Sequence, residues 1–283
     1  MTTINLEHLN QWLNKEEVVE TEISVEQANL MNVTLSRDAT LQAGDALPHA
    51  WHWLYFHDTV RGDELGHDGH AKLGGFLPPV PLPRRMWAGG KIDFVAPILL
   101  GETAIKRSSV KSITPKQGRS GQLCFVSVEH EITVTGERRL LETQTLVYRE
   151  ASPPDRQTQV KAQAVPIDAD FSATYQPDAA MLFRYSALTF NSHRIHYDID
   201  FCRNDEGYPG LVVHGPLTAT LLLDLFHHKN AECTITSFDY RGVSPLFNPN
   251  SFSVHGKSNG DVWALNHEAG LAMQGKISTA NQN

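Results

Sequence analysis

The residues with most to offer chemically are histidines, of which the chain has 14 among 283 residues. One group sits in residues 185–216, "YSALTFNSHRIHYDIDFCRNDEGYPGLVVHGP", where His193 and His196 are three apart and Asp198 follows two later. Imidazole titrates near neutral pH and can exchange protons with a substrate. A metal centre would need further ligands, and the helical H-E-x-x-H spacing is absent, so no metal is expected. The other group, His49, His52, His57, His67 and His70, lies in "HAWHWLYFHDTVRGDELGHDGHAKLGGFLPPVPLPRR". So much Gly, Pro and aromatic character predicts a long ordered loop. There His67 and His70 read as solvated or locally bonded, and His49 and His52, among tryptophans, as lining or supporting a pocket.

These groups need elements to hold them. Leu6, Leu9 and Leu13 at helical spacing predict a first short helix, and Ser24 with Gln27 a capping box before a second, residues 28–35. After a break at Gly89-Gly90, residues 91–97, 102–113, 123–134 and 138–148 have β character. In "CFVSVEHEITV" Val126, Val128, His130, Ile132 and Val134 face one way, so one sheet face is buried. Residues 151–180, with Pro153, Pro154, Pro166 and Pro177, read as a linker. "MLFRYSALTF" then reads as a strand. "HGPLTATLLLDLFHH" is the strongest helix, started by Gly215 and Pro216 and apolar on nearly every face from Leu217 to Phe226, hence buried all round. Strands follow at residues 234–240, 251–256, 262–266 and 271–277. An internal repeat pairs Asp93 with Asp239, Phe94 with Tyr240 and Pro97 with Pro245. Residues 1–150, a 151–180 linker and 181–283 are the expected units.

A strand, an irregular segment holding H-x-D, and "YPGLVVHG" running into a buried helix resemble the MaoC-like hydratases and the type 2 hydroxyacyl-thioester dehydratases. In that motif, roughly Ser-x-Asp-x-Asn-Pro-x-His-x-Asp, "LTFNSHRIHYD" puts His196 on the catalytic histidine and Asp198 on the final aspartate. Asn191 holds the place of the catalytic Asp, and His193 and Arg194 replace the Asn-Pro pair. "TFNSHRIHYD" with "HGPLTATLLLDL" resembles the two-hot-dog subgroup that includes mesaconyl-CoA and itaconyl-CoA hydratases. "LPRRMWAGGKIDFVAPILLGE" looks like that subgroup's degenerate first copy. The resemblance implies an α+β double hot-dog fold, two antiparallel sheets each wrapping a central helix, with one active site per chain. It also implies reversible addition of water to an unsaturated acyl-CoA, with a C5 dicarboxylyl thioester preferred and no cofactor beyond the CoA substrate.

Under that reading His196 is the principal acid–base. Asn191, whose amide can only donate and accept hydrogen bonds, places the water or substrate. The backbone N–H of Gly215 meets the charge that develops on the thioester oxygen. Asp198 reads as structural, and His214 orients the loop or packs before the helix. Arg194, Arg203, Arg84 and Arg85 are the cations available for phosphates or a carboxylate. Trp87, with Trp51, Trp53, Phe56 and Phe76, offers an apolar wall. An acyl-CoA thioesterase and a non-catalytic thioester-binding protein are the alternatives. The net charge of −8 and pI near 5.9 give no nucleic-acid footprint. No stretch is apolar for long enough to span a bilayer, and Cys124, Cys202 and Cys233 match no disulfide or zinc pattern. A cytoplasmic monomer or homodimer is expected.

Overall fold

The computed structural model describes residues 4–118, 121–150 and 168–281. Ten antiparallel strands form one sheet: β1 (Glu16–Glu22), β2 (Arg84–Phe94), β3 (Thr103–Gly118), β4 (Gly121–Val134), β5 (Glu137–Arg149), β6 (Phe171–Tyr175), β7 (Cys233–Gly242), β8 (Phe252–Gly256), β9 (Asp261–Leu265) and β10 (Leu271–Asn281). Their order is β1-β3-β4-β5-β2-β7-β10-β9-β8-β6, so each half repeats the same arrangement outward from the central β2–β7 pair. Ile92 pairs with Phe238 there, and the shift that aligns Asp93 with Asp239 brings Ile92 onto Phe238 as well. The two halves therefore meet about a pseudo-twofold axis.

The helices are α1 (Leu6–Leu9), α2 (Val25–Thr34), α3 (Ala179–Leu188), α4 (Ile199–Asn204) and α5 (Gly215–Lys229). Every residue of α5 from Leu217 to Phe226 is buried, as its apolar faces predict. It packs on the second half's strands within a core that holds Leu222, Phe226, Phe238, Val254 and Val262. The first half has no helix of that kind among the described residues. Its inner face is covered instead by the loop residues Trp51, Leu54 and Phe56, which share the main core with Ile92, Ile132 and Leu140. In the second half α3 follows β6 just as α2 follows β1, and the two helices pack together. Gln27 Nε2 ties them, donating to the carbonyls of Leu54 and Leu188 at 3.0 and 2.7 Å.

Several expectations change. "MLFRYSALTF" is mostly α3, not a strand: Asp178 caps it by accepting from the Met181 N–H at 2.7 Å, and Leu182, Tyr185 and Leu188 face inward. The expected linker lies partly outside the described residues, and its described end carries β6 and the start of α3. Gly89-Gly90 is no break, because β2 runs from Arg84 to Phe94 with only a register shift between Trp87 and Gly89. Strand β1 was unexpected; its side chains alternate between exposed and half-buried at the sheet edge, and carboxylates there discourage further pairing.

Candidate active site

Between the halves lies a cleft of about 1380 Å³ whose walls include Trp87, Arg85 and His70 from the first half and Asn191, His193, His196 and Gly215 from the second. The His196 ring is fixed by one bond: Nδ1 lies 2.7 Å from the carbonyl oxygen of Val212. A carbonyl can only accept, so Nδ1 carries the proton and Nε2 is left with a bare lone pair. His214 stacks against this ring, 3.6 Å between centroids and 18° apart. Burial lowers the His196 pKa to about 4, with the Val212 carbonyl opposing and the charge of His70 adding to the shift. His196 is therefore a neutral base at neutral pH.

Gly215 is the first residue of α5, and among the described residues its N–H has no hydrogen-bond acceptor. A free amide at the positive end of a 15-residue helix suits a developing oxyanion. Glycine is required by its neighbour, since a Cβ there would sit 2.6 Å from Trp87 Cε3. Trp87 is held from behind by stacking on Tyr240 at 4.8 Å. Tyr240 in turn donates to the buried carboxylate of Glu142 at 3.3 Å, which also receives Trp53 Nε1 at 3.1 Å. Trp87, Trp53 and Glu142 of the first half and Tyr240 of the second thus together set the position of the helix start.

Asn191 reaches the cleft; its Oδ1 accepts from the His193 N–H at 3.0 Å, which leaves its Nδ2 hydrogens to donate. Arg84 lies on the wall but is occupied, 3.3 Å from Glu206 Oε2. Arg85 lines the cleft with no carboxylate in salt-bridge range among the described residues, and its charge adds to the burial that lowers the pKa of both His70 and His193. Three expected residues are elsewhere. Arg194 is spent on Asp198, with Nη2 2.7 Å from its carboxylate, and does not line the cleft. Asp198 also caps α4 through the Phe201 N–H. Arg203 is exposed on α4 and does not line the cleft. His214 is buried behind His196 and meets Ser186 Oγ at 2.9 Å. Of the aromatic wall, Phe76 and Trp87 line the cleft, whereas Trp51 and Phe56 are core residues because no helix fills that space.

The sequence reading missed one feature. The loop at Asp68–His70 crosses from the first half and docks on the second: the Arg194 N–H donates to the Asp68 carbonyl at 2.9 Å, and Ser192 Oγ to the Gly69 carbonyl at 2.5 Å. There Asp68 Oδ2 lies 2.7 Å from His70 Nδ1, and the His70 ring is 4.0 Å from that of His193. Donor atoms of Asp68, His70 and His193 fall within 4.8 Å of one another, but the bond between Asp68 and His70 already uses one carboxylate oxygen and Nδ1. Burial would raise the Asp68 pKa, yet the hydrogen bond and charge of His70 carry it well below the carboxylate range, so Asp68 is ionised. The only local signal was the tight Asp-Gly-His turn, since no spacing relates residue 70 to residue 193.

The model of the hydroxyacyl-thioester dehydratase type 2 family matches residues 50–248, which spans the docking loop, the cleft and α5. The chain belongs to that family. It is 41% identical over 251 residues to a mesaconyl-C(4)-CoA hydratase of Chloroflexus aurantiacus, covering 88% of this chain and 89% of that protein. In fold it is similar to a MaoC-like dehydratase of Phytophthora capsici, with a TM-score of 0.67 at 13% identity over 99% of this chain and 100% of that one. A Mycobacterium tuberculosis protein described as a double hot dog superimposes with a TM-score of 0.56 at 11% identity, over 95% and 97% of the two chains. The α+β double hot-dog expectation holds, except that the two copies form one ten-stranded sheet and, among the described residues, only the second wraps a central helix. The chain is an enzyme of the hydratase and dehydratase type. No helix among the described residues is long and apolar enough to cross a membrane.

Proposed function

We propose that this chain reversibly adds water across the double bond of an unsaturated acyl-CoA, with a short dicarboxylyl thioester such as mesaconyl-C4-CoA as substrate. The observation that carries the reaction is the pairing of a bare His196 Nε2 with an unbonded Gly215 N–H on one cleft wall. His196 accepts a proton from water as its oxygen bonds to the β-carbon. Electrons move through the double bond to the thioester oxygen, and the Gly215 N–H donates a hydrogen bond to the oxyanion that forms there. Asn191 donates to the water or the acyl group.

The dicarboxylyl preference is supported by Arg85, the wall guanidinium that retains a free charge, and by the 41% identity to a mesaconyl-C(4)-CoA hydratase. The cleft mouth carries Phe183 and Phe190, 63% and 61% exposed, as an apolar rim for the thioester arm.

The test compares crotonyl-CoA with mesaconyl-C4-CoA on wild type and Arg85→Ala, following the conjugated thioester and free thiol together. Wild type should consume the double bond without releasing thiol. Arg85→Ala should lose roughly 10- to 100-fold in kcat/KM on the dicarboxylyl substrate alone, as expected when one charge-assisted carboxylate contact is removed. Equal loss on both substrates rejects Arg85 as the carboxylate site, and thiol release favours a thioesterase.

A further inference from the structure

The hydratase reading leaves one requirement open. The β-carbon water and the α-carbon each need a proton-transfer partner, and Asn191 can supply neither. Asp68 and His70 stand at that place in the cleft, brought there from the other half of the molecule. We propose that His70 is the second proton-transfer residue of the site, donating to the α-carbon in hydration and receiving from it in dehydration, and that Asp68 positions it and balances its charge.

The geometry supports this in three ways. Asp68 Oδ2 at 2.7 Å holds the Nδ1 proton of His70, so Nε2 is its exchanging nitrogen. The Asp68 Oδ1 also accepts the His70 backbone N–H at 3.0 Å, so carboxylate and imidazole are locked as a unit. Finally, His70 and His196 flank His193, with ring centroids 4.0 and 5.5 Å from it, so both histidines serve the same end of the cleft. His196 has only a carbonyl behind it, whereas His70 has a carboxylate, the arrangement that stabilises an imidazolium.

This proposal rests on the hydratase reading, and its proton balance is as follows. Hydration begins with His70 protonated and His196 neutral. The water O–H breaks, its proton goes to His196 Nε2, and the oxygen bonds to the β-carbon. The resulting enolate takes the Nε2 proton of His70 at the α-carbon. The proton left on His196 then returns to His70 through water in the open cleft. Burial, helped by the charges of Arg85 and His193, holds the His70 pKa below the ordinary imidazole value against the hydrogen bond and charge of Asp68. The imidazolium that starts hydration is therefore the minor form at neutral pH, and Asp68 is the group that keeps it populated.

The experiment measures hydration by the intact chain and by His70→Ala, His70→Gln, Asp68→Asn and Asp68→Glu, with thermal melts alongside. The histidine variants should lose roughly 100-fold or more in kcat, with KM within about threefold, and added imidazole should restore activity to His70→Ala. Asp68→Asn should lose kcat comparably and move the alkaline limb of kcat/KM to lower pH, because the carboxylate no longer supports the acid form of His70; Asp68→Glu should recover part of both. If both His70 variants fold and keep more than half of kcat, or if Asp68→Asn leaves the alkaline limb in place, the proposal is overturned while the hydratase reading stands. Loss of wild-type activity to a chelator, restored by zinc, overturns it in favour of a cation held by the trio. A wild type that adds water to no thioester overturns the hydratase reading and this proposal together.

Discussion

The two halves of the sheet share strand order and register but differ in what covers their inner faces. In the second half α5 is buried from Leu217 to Phe226, and its free amino end forms part of the cleft. In the first half the same place is taken by a loop that packs Trp51, Leu54 and Phe56 inward and then sends Asp68–His70 across to the other copy. A helix and a loop thus solve the same burial problem. Only the helix also presents an oriented amide for an anion, so the reaction centre belongs to the second half. Freed from that duty, the first half contributes walls, a cation and the docked loop.

The sharpest way to break this division is to remove one histidine from each half, the half-buried His49 and the buried His196. His196→Ala should lower kcat by roughly 10³-fold, within the usual range for a general acid–base group. His49→Gln should leave kcat nearly unchanged, because His49 packs edge-on against Phe94 at 4.6 Å and does not line the cleft. Steady-state kinetics on the conjugated thioester checks both, and equal losses would mean that His49, away from the cleft wall, supports the reaction as much as His196 does.

A smaller effect separates the docked loop from the rest of its half. Gly69 has φ +87°, and a Cβ there would lie 1.9 Å from the Ser192 carbonyl oxygen, so Gly69→Ala must unseat the loop. Displacement of about 1 Å at a reacting group costs on the order of 10²-fold, and left-handed strain adds about 1–3 kcal/mol of instability. Gly44 also has positive φ, +90°, but open space around it. Gly44→Ala should therefore shift the melting temperature slightly and leave kcat alone. If both alanines behave alike, the docking contact has no role beyond backbone conformation.

How legible these features were in the sequence followed from how local their causes are. The burial of α5 could be read from apolar residues on every face and the Gly215-Pro216 start, and β4 from its alternation. Helix α3 was misread because "MLFRYSALTF" is apolar and aromatic without clear period; its state is decided by the Asp178 cap and by packing against α2. Strand β1, "EEVVETE", has no fully buried face to betray it. At the site, His196, Asn191 and Gly215 lie near one another in sequence, and the structure brings all three to the cleft wall. The approach of His70 to His193 depends on how two halves dock, and no local pattern records that. Arg194 and Arg203 were misassigned for the converse reason: nearness in sequence to the motif did not place them on the cleft wall.

Acid titration gives the smallest effect and compares the halves through stability. Burial lowers His49 and His130 in the first half, and His196 in the second, to about 4 in each case. Because these groups are neutral when folded and ordinary when unfolded, the unfolded chain binds more protons between pH 6.5 and 4. Stability must then fall as pH drops through that window, by at most about 1.4 kcal/mol per pH unit for each group, and level off below the folded value. Glu142 moves the other way: the hydrogen bond and charge of His52 outweigh burial and lower it to about 2, so its contribution is full above about pH 4.5 and is lost as the pH falls from there to about 2. His70 in the first half and His193 and His214 in the second are lowered by burial as well, and His49→Gln should flatten the slope of unfolding free energy against pH by about one group's share. Urea melts at pH 6.5, 5.5 and 4.5 measure this, and an unchanged slope would mean that His49 charges as readily in the folded chain as in the unfolded one.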